Sequence, residues 1–333
     1  MKIAVDAMGG DYAPLEVVKG AVEAADQNGI SVVLVGDSSR IERELAKYPN
    51  AGSKVEVVHA SEVVAMDDSP ANAIRRKDSS IVVAASLVDS GAAQAMVSAG
   101  NTGAAMAVAT LKLGRIPGIE RPAIASIIPS TGCRVVLLDA GANVDCDVHN
   151  LMQFAVMGCT YAERVFGVPN PRIGLLSIGE EPSKGDKLTK AANVSLSKSD
   201  LNFVGNVEGN DIFRGAADVV ICDGFAGNVT LKVAEGMGEF LVAVLKQEVK
   251  RSLLAKIGIL FLAPALKRAK IHLDYAEYGG APLLGTNGMC IIGHGRSNAR
   301  AIRNAIRVAA SAVENDVVGC ITAALEQKEL VAS

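Results

Sequence analysis

The sequence contains no tryptophan, and only 4% of its 333 residues are aromatic. So few rings leave little on which to stack bases, which argues against a binder of single-stranded nucleic acid. They also leave the core to Ala, Val, Ile and Leu, the residues of strands buried on both faces. An excess of either charge is missing too: 33 basic and 36 acidic side chains leave a net −3, too even for a protein that coats nucleic acid. No apolar run approaches the roughly 20 residues that span a bilayer. The opening stretch MKIAVDAMGGD lacks the apolar segment of a signal peptide, so a cytoplasmic location is the default. The six cysteines are scattered, with no CxxC, and read as free thiols. His149 near Asp145 and Asp147 reads as a loop entering a helix, and no metal is expected. GxGxxG, GxxxxGK[ST], GxSxG and HExxH are all absent, which weakens the hydride-transfer, NTPase, serine-hydrolase and zinc-protease readings.

What is abundant is glycine, 33 residues of it, at the ends of short β-branched runs. KIAVD, SVVLVG, VEVVH, AQAMVS, RVVLLD, RIGLLS and DVVICD read as strands, most of them followed by a Gly/Asn/Asp loop and a helical stretch. Strands alternating with helices imply an α/β fold with a mostly parallel sheet flanked by helices, and ligands beyond the strands' carboxyl ends. Because each loop follows a strand, all are expected on one edge of the sheet. Residues 1–333 read as a single unit, with two lobes as an option. Pro117, Pro122 and Pro129 mark a turn or a crossing between lobes. Residues 236–275 break the pattern as a projecting helical hairpin, with the uncharged stretch 257–266 between two helices. Residues 246–270 carry seven basic side chains against one acidic, a net +6 set against −9 over the rest. This segment suits a dimer interface, a docking surface for an acidic partner or a membrane contact.

The loops carry the candidate chemistry. They are Asp6 with Gly9, Gly10 and Asp11; Ser98 with Gly100, Asn101 and Thr102; Asp139 with Gly141 and Asn143; and Asp223 with Gly224, Gly227 and Asn228. Glycine lets backbone N–H groups approach an anion, and a following helix N-terminus favours it, so the set suits phosphate. Gly179, Lys184 and Gly185 lie in GEEPSKG, where Lys184 is the obvious cation for phosphate. Asp223 is placed either for base work or to cap the next helix. His294, in GHGRS, either contacts substrate or makes a turn.

The ordered set MKIAVDAMGGDYAP, SAGNTGA, LDAGAN, LSIGEEPSKG, CDGFAGNVTLK, DYAEYGGAPLLG and HGRS resembles the PlsX family of phosphate acyltransferases over nearly the whole chain. The resemblance implies a fold similar to that of the isocitrate/isopropylmalate dehydrogenase and phosphotransacetylase group, with no cofactor. It also implies a homodimer and acyl transfer from acyl carrier protein to inorganic phosphate. The acyl-phosphate product would feed a glycerol-3-phosphate acyltransferase in phospholipid synthesis, with peripheral membrane contact as an option for 257–266. On this reading Lys184, Asp223 and Asn228 are catalytic, and the remaining loop residues bind substrate or phosphate. A phosphotransacetylase using acyl-CoA, or an oxidoreductase on the related fold, is the alternative. A covalent route through Cys222 is the alternative mechanism.

Overall fold

The computed structural model describes residues 1–49, 54–273, 277 and 279–327, without the side chains of 253, 260 and 267–273. The end of the expected hairpin, 274–275, and the side chains of Lys267, Arg268 and Lys270 therefore lie outside the described residues. One sheet of 11 strands forms the centre, in the order β3-β2-β1-β4-β11-β10-β5-β6-β9-β7-β8. The strands are β1 (Lys2–Asp6), β2 (Ser31–Gly36), β3 (Val55–His59), β4 (Ala95–Ser98), β5 (Ala123–Pro129), β6 (Arg134–Leu138), β7 (Ile173–Leu176), β8 (Phe203–Val207), β9 (Val219–Ile221), β10 (Ala281–Leu284) and β11 (Met289–Ile292).

All seven runs read as strands are strands. The segment read as a turn or crossing instead holds β5, so Pro129 ends a strand. The three antiparallel pairings all involve β5 or β10, and every other pairing is parallel. Consequently β1–β4 and β11 run one way and β6–β9 run the other. The expectation that every loop lies on one edge fails for this reason. The two half-sheets are also staggered. Met96 pairs with Cys290, Cys290 with Leu283 and Leu283 with Ile124, while Ala125 pairs with Leu138. The carboxyl end of β6 thus falls level with the middle of β4, and the two sets of strand ends converge where β10 meets β5.

Helices cover both faces. α1 (Leu15–Asn28), α6 (Val148–Phe166), α11 (Ala299–Glu314) and α12 (Val317–Gln327) bury their apolar sides against one face, with Phe154 and Tyr161 among the largest buried side chains. α3 (Pro70–Arg75), α4 (Ser80–Asp89) and α5 (Thr102–Lys112) pack on the other face over the first half-sheet. α8 (Gly209–Arg214) and the first turn of α9 (Gly224–Arg251) cover that face over the second. α2 (Ser38–Leu45) and α7 (Lys187–Ser197) complete the shell. α9 is 28 residues, about 42 Å at 1.5 Å per residue, and among its described residues only Gly224 and Gly227, both in its first turn, are buried. Ser252, in extended conformation, ends it, and α10 (Leu253–Leu273) packs back along it. The turn of the hairpin is therefore at Ser252. The stretch 257–266 lies inside α10 rather than between helices, with Phe261 83% exposed. No single described helix is long and apolar enough to cross a membrane.

The helix pair α1–α11 ties two of the candidate loops together. Gly20 lies at their crossing, where a Cβ would stand 2.5 Å from the Ala299 carbonyl oxygen and 2.7 Å from Ile302 Cβ. One turn earlier, Glu16 Oε2 accepts from the Ala299 N–H (2.6 Å) and so caps α11 from α1. Gly20→Val forces the helices apart, and overpacking of this kind costs about 1–3 kcal/mol. Denaturant unfolding is expected to show that loss as a lowered midpoint with an unchanged slope.

Candidate active site

At the carboxyl end of β6, Asp139 is fully buried. Its Oδ1 accepts from the backbone N–H groups of Ile124 (3.0 Å), Gly141 (3.1 Å) and Ala142 (3.0 Å). Its Oδ2 accepts from Asn143 N (2.7 Å) and Nδ2 (2.9 Å). Burial pushes this carboxyl up, and the N–H donors pull it back toward the anion. The loop after β9 locks into this one: Gly224 N donates to the Asn143 carbonyl (2.7 Å), and Asp223 Oδ1 caps α9 by accepting from Ala226 N (2.8 Å). A Cβ at Gly227 would collide with the Asp139 carbonyl oxygen. Gly141, at φ +135°, lies against Asn228, where a Cβ would meet Asn228 Cβ and Cγ at 3.4 Å. Asn228 itself is exposed in the first turn of α9.

A second pair of loops is built in the same way around Asp6, which is 3% exposed at the end of β1. Its Oδ2 accepts from Ser98 Oγ (2.8 Å) and its Oδ1 from Met8 N (3.2 Å), while Gly100 N donates to Ser98 Oγ (3.2 Å). Desolvation raises the Asp6 carboxyl against these donors. Gly9 and Gly10 let the two loops touch: a Cβ at Gly9 would sit 2.9 Å from Gly100 N. Asn101 caps α5 through Oδ1, accepting from Ala104 N (2.9 Å), and its Nδ2 donates to the carbonyls of Met66 (2.7 Å) and Asp68 (2.9 Å). Asn143 Nδ2 likewise donates to the Pro122 carbonyl (2.8 Å).

The side-chain bonds of Asp6, Ser98, Asn101, Asp139 and Asn143 are thus spent on building the loops that sequence reasoning placed around substrate. The reason is burial: a carboxylate at a strand end is satisfied by the N–H groups of its own turn. What the loops turn outward is backbone, together with Thr102, Asn228 and, after β7, Lys184, all three exposed. Lys184 N bonds the Glu181 carbonyl (2.9 Å), and Gly179 packs against the Lys184 stem. Gly185, at φ +99°, leads into Asp186, which caps α7. Because β7 adjoins β9, this loop and the Asp223 loop are neighbours along one sheet edge. Ser177 was missed by sequence reasoning. Among the described residues its buried Oγ has no hydrogen-bond partner, and it lies where a Cβ at Gly185 would be 3.1 Å away. Its signal was its place at the head of the GEEPSKG loop.

His294 is half-buried beside the first-half loops. Arg296 N donates to its Nδ1 (3.2 Å), and the Gly295 carbonyl accepts from Asp11 N (2.8 Å). Desolvation first, then Lys232, holds the imidazole below its usual range, with Glu235 and Asp11 opposing. Lys232 and Glu235 belong to α9, the helix that begins at Asp223, so their charges act on His294 from the helix rooted in the second group of loops. Cys222 is buried, and desolvation followed by the nearby Asp139 and Asp223 pushes its thiol well above the ordinary value. Cys146, which donates to the Asn143 carbonyl, is pushed up to about 11, mainly by burial. Between α5 and the start of α9 lies a cleft of about 750 Å³, with Thr102, Gly141 and Asn228 in its lining and Ile124 where the half-sheets join. Its position between convergent strand ends is that of a ligand site in an α/β sheet.

The chain matches the family model described as "Fatty acid synthesis protein" over residues 1–319. It is 56% identical over 331 residues to the phosphate acyltransferase of Pelotomaculum thermopropionicum, covering 99% of this chain and 96% of that one. It is 55% identical over 324 residues to the phosphate acyltransferase of Heliobacterium modesticaldum, covering 96% of each. Among solved structures, a phosphotransacetylase from Streptococcus pyogenes superposes with a TM-score of 0.61 at 17% identity, over 98% of this chain and 94% of that one. A 4-hydroxythreonine-4-phosphate dehydrogenase from Klebsiella pneumoniae gives 0.55 at 14% identity, over 94% and 99%. These two likenesses show the fold, which is that of the phosphotransacetylases and related dehydrogenases. The matches over the whole length show the family: the chain belongs to the PlsX family of phosphate acyltransferases, enzymes that transfer an acyl group to phosphate.

Proposed function

We propose that the chain carries out reversible transfer of a fatty acyl group from acyl carrier protein to inorganic phosphate, and that the acyl-phosphate serves phospholipid synthesis. The observation that carries this reading is the pair of interlocked loops 139–143 and 222–228. They present Asn228 and glycine backbone at one end of the cleft, beside the sheet edge that bears Lys184. A phosphate oxygen attacks the thioester carbonyl carbon, the C–O bond forms, and the tetrahedral intermediate collapses with cleavage of C–S. The electron pair leaves on sulfur, which takes a proton to become the free thiol of the carrier. Phosphate near neutral pH is already an anion, and a thiol is a fair leaving group, so the protein's task is positioning and charge stabilisation. Lys184 neutralises the phosphate, and Asn228 donates to the oxygen that becomes the oxyanion. The proton shed by the attacking hydrogen phosphate goes to the departing sulfur, and in the reverse direction the carboxylate of Asp223 takes the thiol proton. Ser177 Oγ is a further donor for phosphate. The raised, buried Cys222 thiol is a poor nucleophile, which favours direct attack over an acyl-enzyme.

The exposed hairpin supports the remaining partners. Val233, Met237 and Phe240 line the outer side of α9 at 61%, 52% and 59% exposure, a face suited to a second copy of the chain. Phe261 and Leu262, with Lys256 and Arg251 nearby, suit an anionic lipid surface, and each cation near such a surface adds about 1 kcal/mol. The same cations suit the acidic carrier protein. An acyl-phosphate made there would pass to a glycerol-3-phosphate acyltransferase.

Phosphate-dependent release of free carrier protein from its palmitoyl form is the direct assay, with palmitoyl-CoA as the comparison donor. No release from either donor would overturn the reading, and preference for the CoA ester would overturn the donor. Lys184→Ala is expected to raise the phosphate KM and lower kcat/KM, while Asn228→Ala lowers kcat by about 10²–10³, the usual loss for one oxyanion donor. Cys222→Ser is expected to keep most of the activity, and mass spectrometry after a quench is expected to show no acylated chain. Co-sedimentation with anionic liposomes is expected to fall when Phe261 and Leu262 are both changed to Ser; unchanged sedimentation removes this segment as the contact.

A further inference from the structure

We infer that the cleft along α5 is the seat of the donor's acyl chain, and that Met106, Ala107 and Leu111 set the preference for chain length. The inference rests on the acyl-transfer reading above and names the part of the substrate this cleft holds. α5 has two unlike sides. Ala104, Ala105, Val108 and Ala109 are buried in the core, whereas Gly103, Met106, Ala107 and Thr110 are half-buried along the cleft. Spacings of three and four residues put that second set in one row.

From Thr102 to Leu111 the row is nine steps long, about 13 Å at 1.5 Å per residue. That is close to half the roughly 30 Å hydrocarbon core of a bilayer, the reach of one membrane fatty chain. Outside α5, Pro70, Ile124, Ala140 and Ala142 complete the apolar lining. No charged side chain lines the cleft; Thr102, Thr110 and Asn228 are its polar side chains, and the rest of the lining is apolar or glycine.

Asn228, the oxyanion donor of the proposed reaction, and an apolar row lining the same cleft match a thioester carbonyl and the hydrocarbon attached to it. The carrier's pantetheine arm fits this run less well, because its amides would face aliphatic wall without partners. A saturated chain has nothing to leave unpaired. The volume of about 750 Å³ lies within the range of small-molecule sites. Each methylene that enters is worth roughly fourfold in binding, so the length of the row becomes a length preference. Leu111, 62% exposed at the far end, is where a longer chain emerges into solvent.

The absence of tryptophan gives a clean test. In the full chain, Leu111→Trp introduces a single indole at the far end of the row. Titration with palmitate brominated at its terminal carbon is expected to quench that fluorescence saturably, and terminally brominated hexanoate, too short to reach, is expected to leave it unchanged. Equal quenching by both, or by neither, overturns the inference. As a second measurement, Ala107→Leu narrows the row and is expected to lower the ratio of kcat/KM for palmitoyl over butyryl carrier protein at least tenfold. An unchanged ratio also overturns it. If wild-type chain transfers no acyl group to phosphate yet quenching follows chain length, the reaction reading fails and the chain-binding site stands.

Discussion

The carboxylate of Asp139 is the point on which the site depends. Five N–H groups converge on its two oxygens, one from β5, three from the loop backbone and one from the Asn143 side chain. Burying a charge without such partners costs several kcal/mol, and removing one partner leaves the rest uncompensated. The loop is therefore held in one shape, and the loop after β9 is fitted onto that shape through Gly224 and Gly227, where no side chain has room. Asn228 follows one residue later, so its position against Gly141 comes from the same knot. Asp6 does the same work for the first half-sheet. Two buried acids, one in each half, thus hold the two groups of loops in shape.

Opposed strand directions make that arrangement possible. In a uniformly parallel sheet these loops would stand side by side on one edge. Here β5 and β10 reverse the sense, and the stagger brings the carboxyl end of β6 level with the middle of β4, close to the carboxyl ends of the first half-sheet. Loops from both halves then face a common space, and the anion-binding ends of α5 and α9 approach it from two sides. α9 starts at the Asp223 cap and runs on to Arg251, so one helix joins the second group of loops to the exposed hairpin.

Much of this was legible in the sequence, for identifiable reasons. Strands such as RVVLL are buried on both faces, and the β-branched run between turn residues gives them away. Asp147 and Asn150 form a capping box at the start of α6, which is also local chemistry. β5, β8, β10 and β11 were not read, and β5 and β10 are the strands that reverse the sheet. β5 lies among prolines, and β10 has four residues, one of them Pro282, so neither shows the pattern of a buried parallel strand. Pairing sense is a tertiary fact that no local pattern encodes. Residue type at the site was readable, but residue role was not. Asn101 and Asn228 look alike in sequence; one is engaged by Met66 and Asp68 from another loop and caps its own helix through Ala104, and the other is exposed. The hairpin was legible as two helices, but its turn was misplaced because the uncharged run 257–266 reads as a tip, whereas Ser252 makes the turn and Pro264 is carried within α10.

The division of labour between the two helices at the cleft follows from their composition. α5 is built of Ala, Gly, Val and Met along its length, and its only basic residue in the last turn is Lys112, so it offers an apolar, narrow wall that distinguishes methylenes but no charges. α9 begins with an acidic cap and an amide and ends in Lys and Arg, so it offers polar chemistry at its root and attraction for anions at its tip. On the reaction proposed above, a substrate with an apolar chain on one side of a reacting carbonyl and an acidic carrier on the other is met by unlike surfaces in the same order, with its carbonyl beside Asn228 in the cleft between α5 and the start of α9.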